Sequence, residues 1–452
     1  MTDLPIDHAV ANHGNRIAFE DGTTQVTYSD LPELLSDSVA GRKRIMGEGQ
    51  HVAWCPRNDL DAFLTFWALL KRGCVACPMS YRLPSTTRVR TMQRIDAQWL
   101  DDLPFEEDAT AKWKHPRVRM PSETQADALV QGGTLILTSG STGDPKAVMH
   151  TMAAHVVSAT GAATAMPLGP GDRWLWSLPL FHVSGLSILV RCAVAGATVV
   201  GLKEEEKTSA RYLGRQPVTH LSVVATQLRR LMEDATFPYD SLRTVLLGGS
   251  QIDARLVDAA RRRGVNVLTT YGLTETASQV TTSTCDGNTS ASGRPLPGRE
   301  VKLSGSGEIL VRSATMCRGY YESGRVVSIL DEQGWLHTGD RGAWTDDGEL
   351  QVHGRIDNMF ISGGENIYPE QIERVIRDRF DVEEVVVVPR TCESFGARPV
   401  AFVRGTMPQD WSTQLREHLA GYEIPDEILD WPEVEAEGEM KVKRLVLQNR
   451  VT

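Results

Sequence analysis

Residues 135–150 read LILTSGSTGDPKAVMH: an apolar run delivers the chain into nine residues, six of them Thr, Ser or Gly, and Lys146 closes the stretch. The apolar run predicts a buried strand, so the loop emerges at a strand end. Gly140 and Gly143 can take φ > 0 and let backbone N–H groups converge on an anion. Thr138, Ser139, Ser141 and Thr142 add hydroxyl donors, and Lys146 supplies charge. The spacing is not that of the Walker loop, which needs GxxxxGK followed by Ser or Thr, whereas Ala147 follows Lys146 here. A loop of this composition also serves as a plain connection, so the remainder of the chain has to decide.

Around it, strand and helix signals alternate. A helical pattern runs from Leu31 through Leu34, Leu35 and Val39, and His51 opens a short buried strand. Residues 60–70 carry apolar side chains at helical spacing with Gly73 behind them. After an irregular stretch at 104–125, strands are expected at 132–137, 174–178, 221–225, 244–247 and 266–269, with an apolar helix running into a strand over 183–200 and helices at 227–232 and 252–263. Strand followed by helix followed by strand means α/β layers. Past Gly287 the texture turns to short strands and Gly-rich turns, a β subdomain. Beyond Arg355 an amphipathic helix (370–379), an apolar strand (385–388) and a second helix (411–419) suggest a small α+β lid. The expected organisation is a large α/β domain of several subdomains over 1–355 and a small mobile α+β domain over 356–452.

The 452 residues suffice for two or three domains, and a formal charge of -10 argues against nucleic acid or anionic membrane as partner. There is no 18-residue apolar run, and the first residues lack a basic segment followed by an apolar core, so a cytoplasmic protein is expected. Seven cysteines fit reduced thiols. Cys74 and Cys77, separated by Val75 and Ala76 and followed by Pro78, read as a strand entering a turn rather than a metal or redox pair.

Four further stretches carry chemistry. In Tyr271-Gly-Leu-Thr-Glu-Thr-Ala-Ser278 an exposed Tyr face can stack a base, Thr274 can donate to phosphate and Glu275 can hold Mg²⁺, although a strand-to-helix turn with a cap would look the same. Asp340, in HTGD, is of the type that binds both ribose hydroxyls, and Arg355, in GRID, can join it or face phosphate. Residues 358–370, NMFISGGENIYPE, place Gly363 and Gly364 where backbone can approach a ligand, ahead of a helix begun by Pro369. Lys441 lies in the terminal GEMKVKR, where a basic run is ordinarily a solvated face.

In this order TSGSTGDPK, YGLTE, HTGD, GRIDN, SGGENIYPEQIE and the terminal lysine resemble the adenylate-forming superfamily of acyl-CoA synthetases, peptide-synthetase adenylation domains and luciferases, over nearly the whole chain. The resemblance implies ATP and coenzyme A as co-substrates, Mg²⁺ as cofactor, and an ATP site at the domain junction. It places 138–146 at the pyrophosphate end, Gly248, Gly249 and Ser250 with Tyr271 around adenine, and Asp340 and Arg355 on ribose. Thr274, Glu275 and Lys441 form the implied catalytic set, Glu275 holding the metal. Asp357 is the implied hinge, and Ser362, Gly363, Gly364 and Glu365 the loop brought in for thioester formation.

Narrower stretches, WLWSLPLFHVSG at 174–185, GRPLPGREVKL at 293–303 and FGARPVAF at 395–402, are similar to the bacterial o-succinylbenzoate-CoA ligase family of menaquinone biosynthesis. The implied substrate is an aromatic dicarboxylic acid, which needs an apolar wall and a cation for the carboxylate that is not activated. The resemblance gives this role to Ser184 and Arg191, with His182 and Ser278 lining the same pocket. Arg191 at a helix end and His182 as a satisfied core histidine are the alternatives. Asn358 stands where many relatives carry a second Asp or Lys. Glu439 and Met440 replace a common Ser-Gly, leaving Lys441 or Lys443 as the adenylation lysine, with register to Arg444 favouring Lys441. Another aryl- or acyl-CoA ligase, or a freestanding domain that loads a carrier protein, stays open at this point, as does a homo-oligomer.

Overall fold

The structure is a computed structural model, which describes residues 4–40, 47–100, 132–138, 145–201, 217–234, 241–432 and 444–451. Two large sheets organise residues 4–327. One has seven strands in the order Arg325–Val327, Gly319–Glu322, Lys146–Thr151, Gly133–Thr138, Val75–Pro78, His51–Trp54, Gln98–Trp99. The other has nine, in which Arg173–Leu175, His220–Val223, Thr244–Leu247 and Val267–Leu273 run parallel as neighbours.

Parallel strands need covering on both faces, and the chain supplies it. Leu60–Lys71 is buried along its whole middle, residues 62–70, and Asp59 caps it by accepting from the Ala62 amide at 2.9 Å. Val183–Ala195 is buried from Gly185 to Ala193 and ends at Gly196, whose φ of 66° only glycine adopts at low cost. Trp67, Trp174 and Trp176 sit in the shared core with Phe19, Phe63 and Phe66.

The β part beyond Gly287 forms an antiparallel sheet of Arg299–Leu303, Glu308–Ser313, Leu336–Trp344 and Leu350–Arg355. It is not a separate appendage, as the sequence suggests. Gly319–Glu322 returns to the earlier sheet and pairs with Lys146–Thr151, where its ladder bonds satisfy what would otherwise be an open edge. The C-terminal segment packs Pro369–Arg379 on the hairpin Val382–Cys392/Gly396–Gly405, around Ile372, Ile376, Val385, Val387, Ala401 and Val403.

Several expected elements change length. The strand at 174–178 is Arg173–Leu175, because Ser177 turns its amide back to the Leu175 carbonyl at 2.9 Å. The helix at 411–419 is regular only over Trp411–Leu415. The strand at 385–388 extends to eleven residues, its alternate side chains reaching beyond the apolar centre. All seven cysteines are free thiols. Cys74 and Cys77 lie in the buried strand as expected, and burial pushes the Cys74 thiol up to about 11. Among the described residues no helix is long and apolar enough to cross a membrane.

Candidate active site

The Ser/Gly-rich stretch is the connection of a β-hairpin. Gly133–Thr138 and Lys146–Thr151 pair antiparallel, with Thr138 opposite Lys146, so the two ends of the loop are fixed side by side. Ser139, Gly140, Ser141, Thr142 and Gly143 lie outside the described residues, as do Lys441 and Lys443. Lys146 is exposed and its Nζ stands 4.9 Å from the centre of the Tyr320 ring, a cation–π contact.

Tyr320 comes from the strand that docks beside Lys146, and its hydroxyl donates to Glu275 Oε1 at 2.8 Å. Burial raises the Tyr320 phenol, and the adjoining Glu275 carboxylate raises it further, so it stays a donor throughout the physiological range. Nothing in the sequence pattern marks Tyr320, because the contact exists only once residue 320 returns to the sheet of residue 146.

The segment 271–278 is not a strand-to-helix turn. Val267–Leu273 continues through Tyr271, one 3₁₀ turn spans Thr274–Thr276, and Ser278–Thr282 returns antiparallel. Gly272 is required, since a Cβ there would fall 2.0 Å from the Ser278 carbonyl oxygen. Ala277 and Ser278 take φ of 50° and 107°, the left-handed region that side chains disfavour. The turn is held from below: His150 Nε2 donates to the Thr274 carbonyl at 2.7 Å, and Ser158 Oγ donates to the Ala277 carbonyl at 2.8 Å. Burial lowers His150 to about 4, keeping the ring neutral with its proton on Nε2. His150 is a second supporting residue that motif reading passes over.

Tyr271 is not exposed as expected. It is buried, and its hydroxyl donates to Asp340 Oδ2 at 2.7 Å. Asp340 and Arg355 are cross-strand partners, and Arg355 divides its guanidinium, Nη1 at 3.3 Å from Asp340 Oδ1 and Nη2 at 2.7 Å from Asp357 Oδ2. The expected ribose pair and the expected hinge residue are thereby one network. Gly248, Gly249 and Ser250 follow the strand Thr244–Leu247 at the carboxyl end of the parallel strands, the end at which such sheets bind ligands. Gly249 has φ of 73°, and a Cβ on Gly248 would lie 2.6 Å from the Thr270 methyl.

Arg191 sits in mid-helix, not at a helix end, and is 4% exposed. Its Nη2 donates to Gln279 Oε1 at 2.7 Å and lies 3.2 Å from Ser278 Oγ, and the guanidinium stands 5.3 Å from the Trp174 ring centre. Among the described residues no carboxylate pairs with it, and its Nε is buried without a partner. Burial lowers it to about 9, still charged at neutral pH. Ser184 is seven residues earlier on the same helix face, about 10 Å away at 1.5 Å per residue. His182 precedes the helix, half-buried and against Phe181, and burial followed by the Arg82 charge lowers it to about 4.

Ser362 and Glu365 are cross-strand neighbours joined by Gly363 and Gly364, both at positive φ, a tight hairpin turn. Its contacts run to Phe395 and Arg398 within the C-terminal segment. Asn358 donates to Glu370 Oε1, which an aspartate could not do; Arg444 Nη2 donates to the same oxygen at 3.0 Å.

Residues 85–321 match the AMP-binding enzyme family. The 2-succinylbenzoate--CoA ligase of Escherichia coli K12 is 35% identical over 100% of this chain and 99% of its own length. The chain belongs to the 2-succinylbenzoate--CoA ligases of the AMP-binding enzyme family. Among solved structures of these ligases, an E. coli MenE variant with bound OSB-AMS superposes with a TM-score of 0.84 at 33% identity, covering 100% of this chain and 98% of that one. The Bacillus subtilis o-succinylbenzoate coenzyme A synthetase in complex with ATP and magnesium ion gives 0.80 at 28% identity, covering 94% and 95%. The mixed α/β architecture read from the sequence is that of these ligases.

Proposed function

We propose that this protein activates 2-succinylbenzoate with ATP as an acyl-adenylate and transfers the acyl group to coenzyme A, releasing AMP and pyrophosphate, in menaquinone biosynthesis. The observation that carries the choice of acid is Arg191, a buried guanidinium with no carboxylate partner among the described residues, reached along one helix face from Ser184. An unpaired buried cation is costly, and a dicarboxylic acid compensates it with the carboxylate that does not react. Trp174 supplies an aromatic wall.

The reaction needs two displacements. The other carboxylate oxygen attacks the α-phosphorus, and the bond to the β-phosphate oxygen breaks to release pyrophosphate. The thiol of coenzyme A then attacks the acyl carbon and AMP leaves, its phosphate oxygen carrying the negative charge. Both steps move anionic charge, which fixed donors stabilise.

On this reading the loop 138–146 with Lys146 grips pyrophosphate, Thr274 donates to phosphate, and Gly248, Gly249 and Ser250 with Tyr271 border the adenine. Asp340 takes the ribose hydroxyls while Arg355 orients it. Mg²⁺ needs one or two carboxylates when phosphates and water supply its other oxygens, so Glu275 fits as its protein ligand; the ion offsets phosphate charge when bound. Lys441 is proposed as the adenylation lysine. The small domain beginning at 356 turns about Asp357 and carries the Ser362–Glu365 loop to the thioester step. The seven free thiols suit the reducing cytoplasm.

The test is a panel of aryl and aliphatic acids with ATP, Mg²⁺ and coenzyme A, reading AMP, pyrophosphate and the thioester. Turnover is expected for 2-succinylbenzoate above all others; equal turnover of mono-acids would overturn the choice of acid.

A further inference from the structure

Gln279 is 2% exposed, and its side chain bridges Arg191 and Thr282. Its orientation follows from donor chemistry. A guanidinium only donates, so the atom 2.7 Å from Arg191 Nη2 is the carbonyl Oε1, and Nε2 therefore donates to Thr282 Oγ1, also at 2.7 Å. Thr282 can pass its own proton to Thr270 Oγ1 at 3.3 Å, and Thr270 donates to the Thr281 carbonyl at 2.7 Å. Turning the amide over would set an NH₂ against the guanidinium, so the chain runs in one direction.

The backbone oxygen of Gln279 meanwhile accepts from Arg299 Nε at 3.1 Å. Two buried guanidinium groups thus converge on one neutral residue. Arg299 donates otherwise to the Ser158 and Pro297 carbonyls and to the Ser158 hydroxyl, and among the described residues neither arginine has a carboxylate partner. A glutamate would have the shape of Gln279 and would neutralise Arg191. A neutral amide orients the guanidinium and leaves its charge available. Ser278, at φ of 107°, is held in a disfavoured conformation that brings its hydroxyl to 3.2 Å from the same nitrogen, the kind of local strain that marks functional positions.

We propose that Gln279 is a positioning residue that sets acid selectivity: its amide, locked by Thr282, aims the Arg191 guanidinium at the second carboxylate without cancelling its charge. The inference rests on the reading of Arg191 given above.

Glu in place of Gln279 supplies an internal partner that competes with the acid. Pyrophosphate release is measured for 2-succinylbenzoate and for the analogue in which hydrogen replaces the carboxylate that is not activated. For Gln279→Glu the KM for the dicarboxylate should rise about thirtyfold, the value of one charge-assisted contact. The kcat, the KM for ATP and the kcat/KM for the mono-acid should each stay within about threefold, since none of them draws on the lost contact. Thr282→Val leaves the amide free to turn and should raise the same KM about fivefold, the value of one neutral hydrogen bond; it carries the test should the first variant not fold. Equal losses on both acids, or no change in either variant, would overturn the proposal. Arg191→Leu separates the two readings. If it leaves the preference for the dicarboxylate intact, the Arg191 reading fails. If it erases the preference while Gln279→Glu keeps it, only the role of Gln279 fails.

Discussion

Tyr320 joins Lys146 to Glu275: its ring lies under the lysine ammonium at 4.9 Å and its hydroxyl donates to the glutamate at 2.8 Å. Two charges of opposite sign, from the loop proposed to grip pyrophosphate and from the turn proposed to hold the metal, are therefore set by one side chain. Tyr320→Phe keeps the ring and deletes the donor. We expect the KM for Mg²⁺·ATP to rise about tenfold, the value of one hydrogen bond to a charged group, with the KM for the acid unchanged. Steady-state pyrophosphate release at varied Mg²⁺ measures both, and an unchanged KM for Mg²⁺·ATP would remove Tyr320 from the site.

Lys146→Ala addresses the assignment of the loop. If Lys146 serves pyrophosphate, adenylation should slow by about a hundredfold or more, a typical loss for one electrostatic donor. Transfer from preformed acyl-adenylate to coenzyme A should proceed at close to the native rate. Single-turnover measurement of each half-reaction decides it, and equal slowing of both would count against the assignment.

Buried histidines give the fold a particular response to acid. In the native state His150 remains neutral down to about 4, because burial disfavours its charge, and His155 beside it is lowered further by burial and by His150. In the unfolded chain both protonate near the ordinary value of 6.5. The unfolded state therefore binds more protons as pH falls from 6.5 toward 4, and stability should drop across that window, by up to about 3 kcal/mol for His150 alone. Urea denaturation at pH 7.5, 6 and 5 measures the slope, which His150→Phe should flatten.

The turn at Gly363 and Gly364 separates strain from function. Gly364 has open space around a Cβ but a φ of 91°, whereas a Cβ on Gly363 would also meet the Phe395 ring at 2.9 Å. Gly364→Ala should destabilise the hairpin by about 1 kcal/mol. Gly363→Ala should cost more, as the ring must move. If this loop serves thioester formation, both variants should slow acyl transfer more than adenylation in the separated half-reactions; the reverse order would assign the loop elsewhere.

Much of the fold was legible because periodicity reports burial. The core helix at Leu60–Lys71, the strand at Thr244–Leu247 and the helix at Pro369–Arg379 follow directly from apolar spacing and from Gly73 and Pro369 as stop and start. What the sequence hid was long-range pairing. No local pattern tells Gly319–Glu322 to return to Lys146–Thr151, 172 residues away in register at Tyr320 and Val148, so nothing in the sequence marks Tyr320 as a site residue. The same limit explains Tyr271, whose expected exposure ignored Asp340 on another sheet, and Arg191, whose depth in its helix depends on Ser278–Thr282 packing against it. Motif order singles out Glu275, Asp340, Arg355 and Asp357, while the neutral neighbours carry no motif of their own: Tyr320 on Glu275, His150 on the Thr274 carbonyl and Gln279 on Arg191.

The most direct test of the account is the acid preference of Arg191→Leu, set beside the native protein with 2-succinylbenzoate and the mono-acid analogue. The native protein should favour the dicarboxylate by a hundredfold or more in kcat/KM, about the loss expected when a buried charged contact is left unmade, and the variant should lose most of that preference through KM. A variant that retains the native preference would contradict the claim that this buried arginine receives the second carboxylate.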